Sequence, residues 1–368
     1  MSYPITLGTV CEAVLTSLDG VAGENAPGMK LTPIGFTRAL VSAPNTAGFT
    51  AIPVDSGTGH RKQVRLKYYQ RGSKQMVRRS PECDQPVHKR AVDELFDIGK
   101  YAELELAIPD EYLQRLCEDA SQIGTARELD PGNPAANSPL MNEVVALLLS
   151  QMNGLWQDVN EQNLQQQLVS FGNNLGNSPV SATAKSIEVV RGADGASVLK
   201  GYQTLLHDFG LNEQAGRPLV VGYGNFNKFH FNQGFACCDD SGFDFGALAA
   251  GLPYFYFPDL QVDGILGENA LAVLSPGSVQ LVSFSRNRGN FAGMRGDTLY
   301  TTMVDPRVPD IRLDLSARFV NCGNATRELR LTVSLDWDLF YLPQDSFGLN
   351  DRLSGVNGTF RYTALSAA

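Results

Sequence analysis

The sequence predicts an α+β fold, and three of its features predict it. Residues 138–171 carry one apolar stripe at helical spacing over an unusual length. Residues 311–320 and 329–339 alternate strictly between apolar and polar side chains, as two long antiparallel strands with one buried face do. Between helix and strands lies a block of short apolar strands and modest helices, the mixture of a layered core. The 368 residues suffice for one large or two ordinary domains. With 43% hydrophobic and 19% charged residues the chain reads as globular, and no run approaches the roughly 18 apolar residues of a transmembrane helix.

Residues 1–45 hold a short helical pattern from Val10 to Leu18 among Gly- and Pro-containing connections, and read as an arm. Met1 to Thr6 lack the basic and apolar regions of a secretory signal, so the Asn-x-Thr triplets at Asn324 and Asn357 are not expected to carry glycans. Residues 46–59, rich in Gly, Thr, Ser and Pro, read as a loop. In 62–69, Val64, Leu66 and Tyr68 alternate with Arg65, Lys67 and Tyr69, a strand with one charged face. Gly72-Ser73 is turn chemistry, and 75–78 is the expected partner strand of a basic hairpin. Such a ribbon is barely stable alone and needs a further surface, its own body or a neighbour's. Residues 102–108 alternate strictly and predict a strand; Pro109-Asp110-Glu111 opens a short helix to Ile123, with acids near its positive end. A loop over 124–137 follows.

Ser138 can cap the long helix and Pro139 suits its first position. Met141, Val145, Leu148, Met152, Leu155/Trp156 and Val159 form the stripe, and Glu143, Gln151, Asp158, Glu161, Gln162 and Gln165 to Gln167 are placed away from it. Gly154 weakens the helix by about 1 kcal/mol. Gly172-Asn173-Asn174 ends it. Strands are expected at 187–190, 219–222, 252–257, 270–274 and 279–284, and helices at 197–209 and 225–231. Cys322-Gly323-Asn324 turns the final hairpin, Pro343 ends it, and 344–368 is a tail with one possible strand at 360–363.

The net charge is −9, unevenly spread. Between His60 and Arg90 ten Lys/Arg stand against Glu82 and Asp84, net +8, which leaves −17 on the remainder. A basic arm on an acidic body suits docking of one copy on another; the overall acidity argues against a dedicated nucleic-acid binder. Six scattered cysteines form no C-x-x-C pair and read as reduced thiols, with no metal site.

No catalytic motif emerges. Gly222-Tyr223-Gly224 follows a strand but has Asn227 where a dinucleotide fingerprint needs its third glycine. His207 and Asp208 are neighbours on one predicted helix and diverge. Asp239 to Asp244 lacks the later Glu of a calcium loop. Tyr254 to Phe257 has no flanking basic residues and reads as a core strand, and Trp156 and Trp337 read as core anchors. No enzyme activity and no cofactor are expected.

The order of elements resembles the major capsid protein of tailed double-stranded DNA bacteriophages, the Hong Kong 97-type fold. On that resemblance 1–45 would be the N-terminal arm, 46–92 the extended E-loop, and 93–189 a peripheral domain with the spine helix at 138–171. Residues 190–300 would be an α/β axial domain, 301–343 the returning peripheral strands, and 344–368 the C-terminal tail. Arg217 to Gly222, Gly251 to Phe255 and Ala272 to Gly277 match the axial domain's strand entries and its late step of apolar strand then Pro-Gly. The tail is longer than a minimal member needs.

The resemblance implies a structural subunit that self-assembles into hexamers and pentamers of an icosahedral head around double-stranded DNA. It implies assembly in the host cytoplasm, a location in the virion, a portal, a separate scaffolding protein, possible decoration proteins, non-specific contact with packaged DNA, and no membrane. Arg61, Lys62, Arg65, Lys67, Arg71, Lys74, Arg78 and Arg79 are the candidates for pairing with acidic surface on a neighbour. The rivals are an encapsulin-like compartment, another virion component such as a tail tube, and an enzyme.

Overall fold

The computed structural model describes residues 11, 14–15, 34–42, 49–53, 63–69, 91–109, 111–112, 139–173, 185–189, 219–222, 255–267, 270–275, 277–287, 292–306, 308–322, 326–341 and 359–366. In chain order they form α1 (Gly35–Ser42), β1 (Phe49–Pro53), β2 (Gln63–Tyr69), β3 (Ala91–Asp97), β4 (Lys100–Pro109) and α2 (Pro139–Asn173). Next come β5 (Lys185–Val189), β6 (Leu219–Gly222), β7 (Phe255–Pro258), α3 (Leu260–Leu266), β8 (Ala270–Leu274) and β9 (Val279–Phe284). The last are β10 (Gly293–Arg295), β11 (Thr298–Asp305), β12 (Val308–Cys322), β13 (Thr326–Tyr341) and β14 (Thr359–Ser366). The chain divides into two compact units. One takes Met1–Thr32, Gly99–Val159 and Ser283–Trp337; the other takes Pro33–Ile98, Asn160–Val282 and Asp338–Ala368. Both α2 and β13 continue from the first unit into the second.

The first unit is built on a sheet in the order β10-β11-β12-β13-β4, with β9 pairing β13 off that path. The four pairings along the path are antiparallel. Alternation puts Leu313, Leu315 and Ala317 of β12 and Leu329, Leu331, Val333, Leu335 and Trp337 of β13 on the buried face. Register aligns them into rows: Leu331 stands opposite Ala317 and Leu106, and Val333 opposite Leu315 and Leu104. Each such side chain contributes about 1.5–3 kcal/mol as an upper figure. Phe319, expected in the same row, is only half-buried, and the Arg327 guanidinium lies 3.7 Å over its ring. The β10–β11 turn runs through Gly296 at φ 58, a left-handed position suited to glycine.

α2 is 35 residues long, about 50 Å at 1.5 Å per residue. Within the first unit its stripe is buried as expected: Val145, Leu148, Met152, Leu155, Trp156 and Val159. A buried indole N–H needs an acceptor, and Trp156 Nε1 donates to Asp305 Oδ2 at 2.8 Å. Asp305 sits where the β11–β12 register shifts, an irregularity that re-aims side chains.

The second unit holds two sheets. β1-β2-β3 is antiparallel throughout. The other runs β5-β14-β8-β6-β7 and is mixed, parallel at β14–β5 and β6–β7 and antiparallel at β14–β8 and β6–β8. β6 and β8 are buried along their whole length, which is why they read as unbroken apolar runs. Phe36 and Leu40 of α1 join Leu219, Val221, Val262, Leu266, Ala272 and Leu274 in one core.

Several expectations change. The loop at 46–59 contains β1, and β2 pairs β1 and β3, so the ribbon is a three-stranded sheet; the return strand placed at 75–78 lies outside the described residues. The segment 1–45 contains α1, with Phe36 and Ala39 fully buried. The possible strand at 360–363 is present as β14, which runs longer, over Thr359–Ser366, and is an interior strand of the five-stranded sheet. Gln167, placed away from the buried stripe, is fully buried. The expected helices at 197–209 and 225–231 and most of the one ending at Ile123 lie outside the described residues.

Candidate assembly surface and its buried polar anchors

β2 alternates between core and surface: Val64 and Leu66 are buried, and Arg65 and Lys67 are exposed. Two residues apart on one strand, the two cations share a face about 7 Å apart. They occupy the middle strand of three, so both ladder edges of β2 are already taken. The strand beside them is acidic, with Asp93, Glu94 and Asp97. Lys67 stands in register with Asp93 and Arg65 with Leu95, itself 53% exposed. Gln63 Nε2 donates to Asp97 Oδ1 at 2.7 Å. The sequence count of basic residues therefore overstates the field here, because register puts Asp93 opposite Lys67 and Asp97 opposite Gln63, while Glu94 stands opposite Leu66. The structure brings together Arg65 and Lys67 of the eight candidates; Arg61, Lys62, Arg71, Lys74, Arg78 and Arg79 lie outside the described residues.

Two buried polar clusters anchor the units, and sequence reasoning found neither. In the first unit the turn after β9 folds onto the sheet through Arg286. Its Nε and Nη2 donate to the two oxygens of Asp336 at 2.6 and 3.1 Å, a bidentate pair. The Asp336 side chain is 1% exposed and that of Arg286 50%. The guanidinium also lies 5.4 Å from the Tyr101 ring centroid. Asp314 accepts from the Arg286 and Asn287 amides at 2.7 and 3.2 Å and from Ser285 Oγ. Asn287 Nδ2 donates to the carbonyls of Thr301 and Leu315. The bond to Asp336, against the opposing cost of burial, raises the Arg286 pKa, so the group is a fixed cation. Burial, then the hydrogen bond to Glu103, pushes the Tyr101 phenol up to about 12.

In the second unit Asn160 of α2 joins three segments. Its Oδ1 accepts from Thr37 N at 2.9 Å and Thr37 Oγ1 at 2.8 Å. Its Nδ2 donates to Asp259 Oδ2 at 2.8 Å and Gln261 Oε1 at 2.7 Å. Asp259 Oδ2 also accepts from Phe36 N at 2.8 Å, and its Oδ1 caps α3 by accepting from Gln261 N at 3.0 Å. Two of the first-turn amides that α1 cannot satisfy internally are thus bonded by side chains of distant segments. Asp259 is fully buried, and desolvation raises its pKa against the three hydrogen bonds that lower it.

These clusters hold structure in place; their chemistry is that of satisfied polar groups. Among the described residues no group of three or more His, Cys, Asp and Glu gathers to hold a metal ion. Trp156 and Trp337 are core anchors. Gly222, the first glycine of the partial fingerprint, has a packing reason: a Cβ there would run into Leu271 Cδ2. Burial pushes the Cys11 thiol up to about 11. His207, Asp208 and Asp239 to Asp244 lie outside the described residues, and no helix among the described residues is long and apolar enough to cross a membrane.

No family model matches the chain, and no curated protein matches it. Among solved structures it is similar to one from Mycobacterium phage Che8, with 10% identity over 85% of this chain and 92% of that one and a TM-score of 0.36. It is similar to the mature capsid of bacteriophage PhiM1, with 8% identity over 83% of each chain and a TM-score of 0.37. It is also similar to the head structure of Helicobacter pylori bacteriophage KHP40, with 10% identity over 84% of this chain and 86% of that one and a TM-score of 0.30.

Proposed function

We propose that this chain is a structural, non-enzymatic subunit of a phage head with the Hong Kong 97-type arrangement, and that it assembles into hexamers and pentamers around double-stranded DNA. The observation that carries the reading is a succession within one chain: the basic strand β2 in its small sheet, the 35-residue α2, and the paired 15- and 16-residue strands β12 and β13. In this reading β1 and β2 belong to the E-loop, β3 leads from it into the peripheral domain, and α2 is the spine. Since β2 has a neighbour on both sides, another copy meets it through Arg65 and Lys67 rather than by extending the ladder. Each exposed ion pair contributes about 0–1 kcal/mol. Repetition around closed symmetry turns such weak contacts into a stable shell. The remaining basic candidates extend the same contact, and packaged DNA, portal, a separate scaffolding protein and decoration proteins are further partners in the virion.

Reversing charge at Arg65, Lys67 and Arg71 tests the assembly role. The expected result is a folded chain by circular dichroism that forms no shells in electron micrographs, with partial rescue by the neutral Gln versions. Normal shells from the reversed variant would sink the proposal.

A further inference from the structure

Beyond Val159 the apolar stripe of α2 gives way to Asn160, Asn163, Gln167 and Ser170, at steps of three, four and three. All four are buried on one face of the helix. They meet a layer made of α1, α3 and the five-stranded sheet together with the end of β13. Asn160 and Asn163 bond Thr37, Gln167 Oε1 accepts from Tyr341 Oη at 3.0 Å, and Ser170 Oγ lies 3.4 Å from Thr359 Oγ1. The layer coheres by different means, through Phe36, Leu40, Val221, Val262, Leu266 and Ala272. Leu164 is the residue of α2 within that core.

The two kinds of contact respond differently to water. Apolar burial is lost outright on exposure, whereas a hydrogen bond is exchanged for one to solvent. Two buried atoms of the seam, Gln166 Oε1 and Gln167 Nε2, have no partner among the described residues, and water entering there would satisfy both. We infer that this polar seam is a release line: α2 from Asn160 to Ser170 separates from the layer while helix and layer each stay folded. This inference is independent of the shell reading.

Adjacent amides on α1 report the event. Thr37 N bonds across the seam to Asn160, and Phe36 N bonds within the layer to Asp259. Native-state hydrogen exchange on the full chain, read residue by residue, is expected to show Thr37 exchanging about ten-fold or more faster than Phe36 and than Val273 of β8, after correction for intrinsic rates. Gln167→Met combined with Tyr341→Phe, which removes the unpartnered amide together with the hydroxyl bonded to its oxygen, is expected to slow Thr37 several-fold and leave Phe36 unchanged. Gln166→Met serves in the same way should the first variant fail to fold. Thr37 and Phe36 exchanging together would overturn the inference. So would a fast Thr37 that ignores both variants, since that describes fraying of α1 alone.

Discussion

Replacing Arg286 by Met would remove a cation and keep most of its volume. The bonds of Ser285, Arg286 N and Asn287 to Asp314 and those of Asn287 Nδ2 to the Thr301 and Leu315 carbonyls survive, so the turn stays anchored. Asp336 loses both bonds of its bidentate partner while its side chain remains 1% exposed. Breaking a buried ion pair from one side costs about 3–5 kcal/mol. Arg286 is half exposed, so water reaches the gap and the expected loss falls to about 2–3 kcal/mol. Both tryptophans, Trp156 and Trp337, lie in the first unit, so their fluorescence follows that unit in a urea titration of the unassembled chain. At about 1–3 kcal/mol per molar urea, the midpoint should drop by about 1 M or more. In a double-mutant cycle with Asp336→Asn the two changes should couple by more than about 1 kcal/mol. Additive losses, or a midpoint unchanged by Arg286→Met, would refute the reasoning.

Asp259 makes a prediction about pH dependence. Its folded pKa is raised, so its stabilising contribution is complete below the ordinary aspartate value near about 3.9 and is lost as pH rises through the folded value. Wild type should therefore gain stability over Asp259→Asn as the solution is acidified across that window, followed by hydrogen exchange in β8; a constant difference would contradict this. Gly154 is exposed on α2 and a Cβ there meets nothing within 4 Å. Gly154→Ala should stabilise the first unit by about 0.5–1 kcal/mol in the same fluorescence titration, and a loss would mean that the helix departs from regular geometry there.

The elements legible in the sequence share a trait: burial alternates along them or covers both faces. β4, β12 and β13 announce themselves by alternation, β6 and β8 by unbroken apolar runs, and the first half of α2 by its stripe. The elements missed lack that contrast. β3 carries three acids in seven residues, and β11, rich in threonine, is half-buried along most of its length. β14 is legible only in part, as the possible strand at 360–363. The second half of α2 misleads for another reason. Asn160, Asn163, Gln167 and Ser170 continue the helical step, but their polarity removes the apolar contrast that marks a buried face. The repeat was present; what it faced was not.

The two anchor clusters lay beyond reach for a stronger reason. Arg286 meets Asp314 and Asp336 across 28 and 50 residues, and Asn160 meets Asp259 and Thr37 across 99 and 123. Nothing local marks these residues out from other Arg, Asp and Asn. By itself the sequence determined which stretches are helix and strand wherever burial imposes a period, and with them the α+β class and the position of the long helix. Tertiary structure alone decided which strands are neighbours, that β2 gains an acidic partner, and that polar residues on α2 face inward. Those outcomes depend on partners distant in the chain, and periodicity encodes only a side chain's direction, never what it meets.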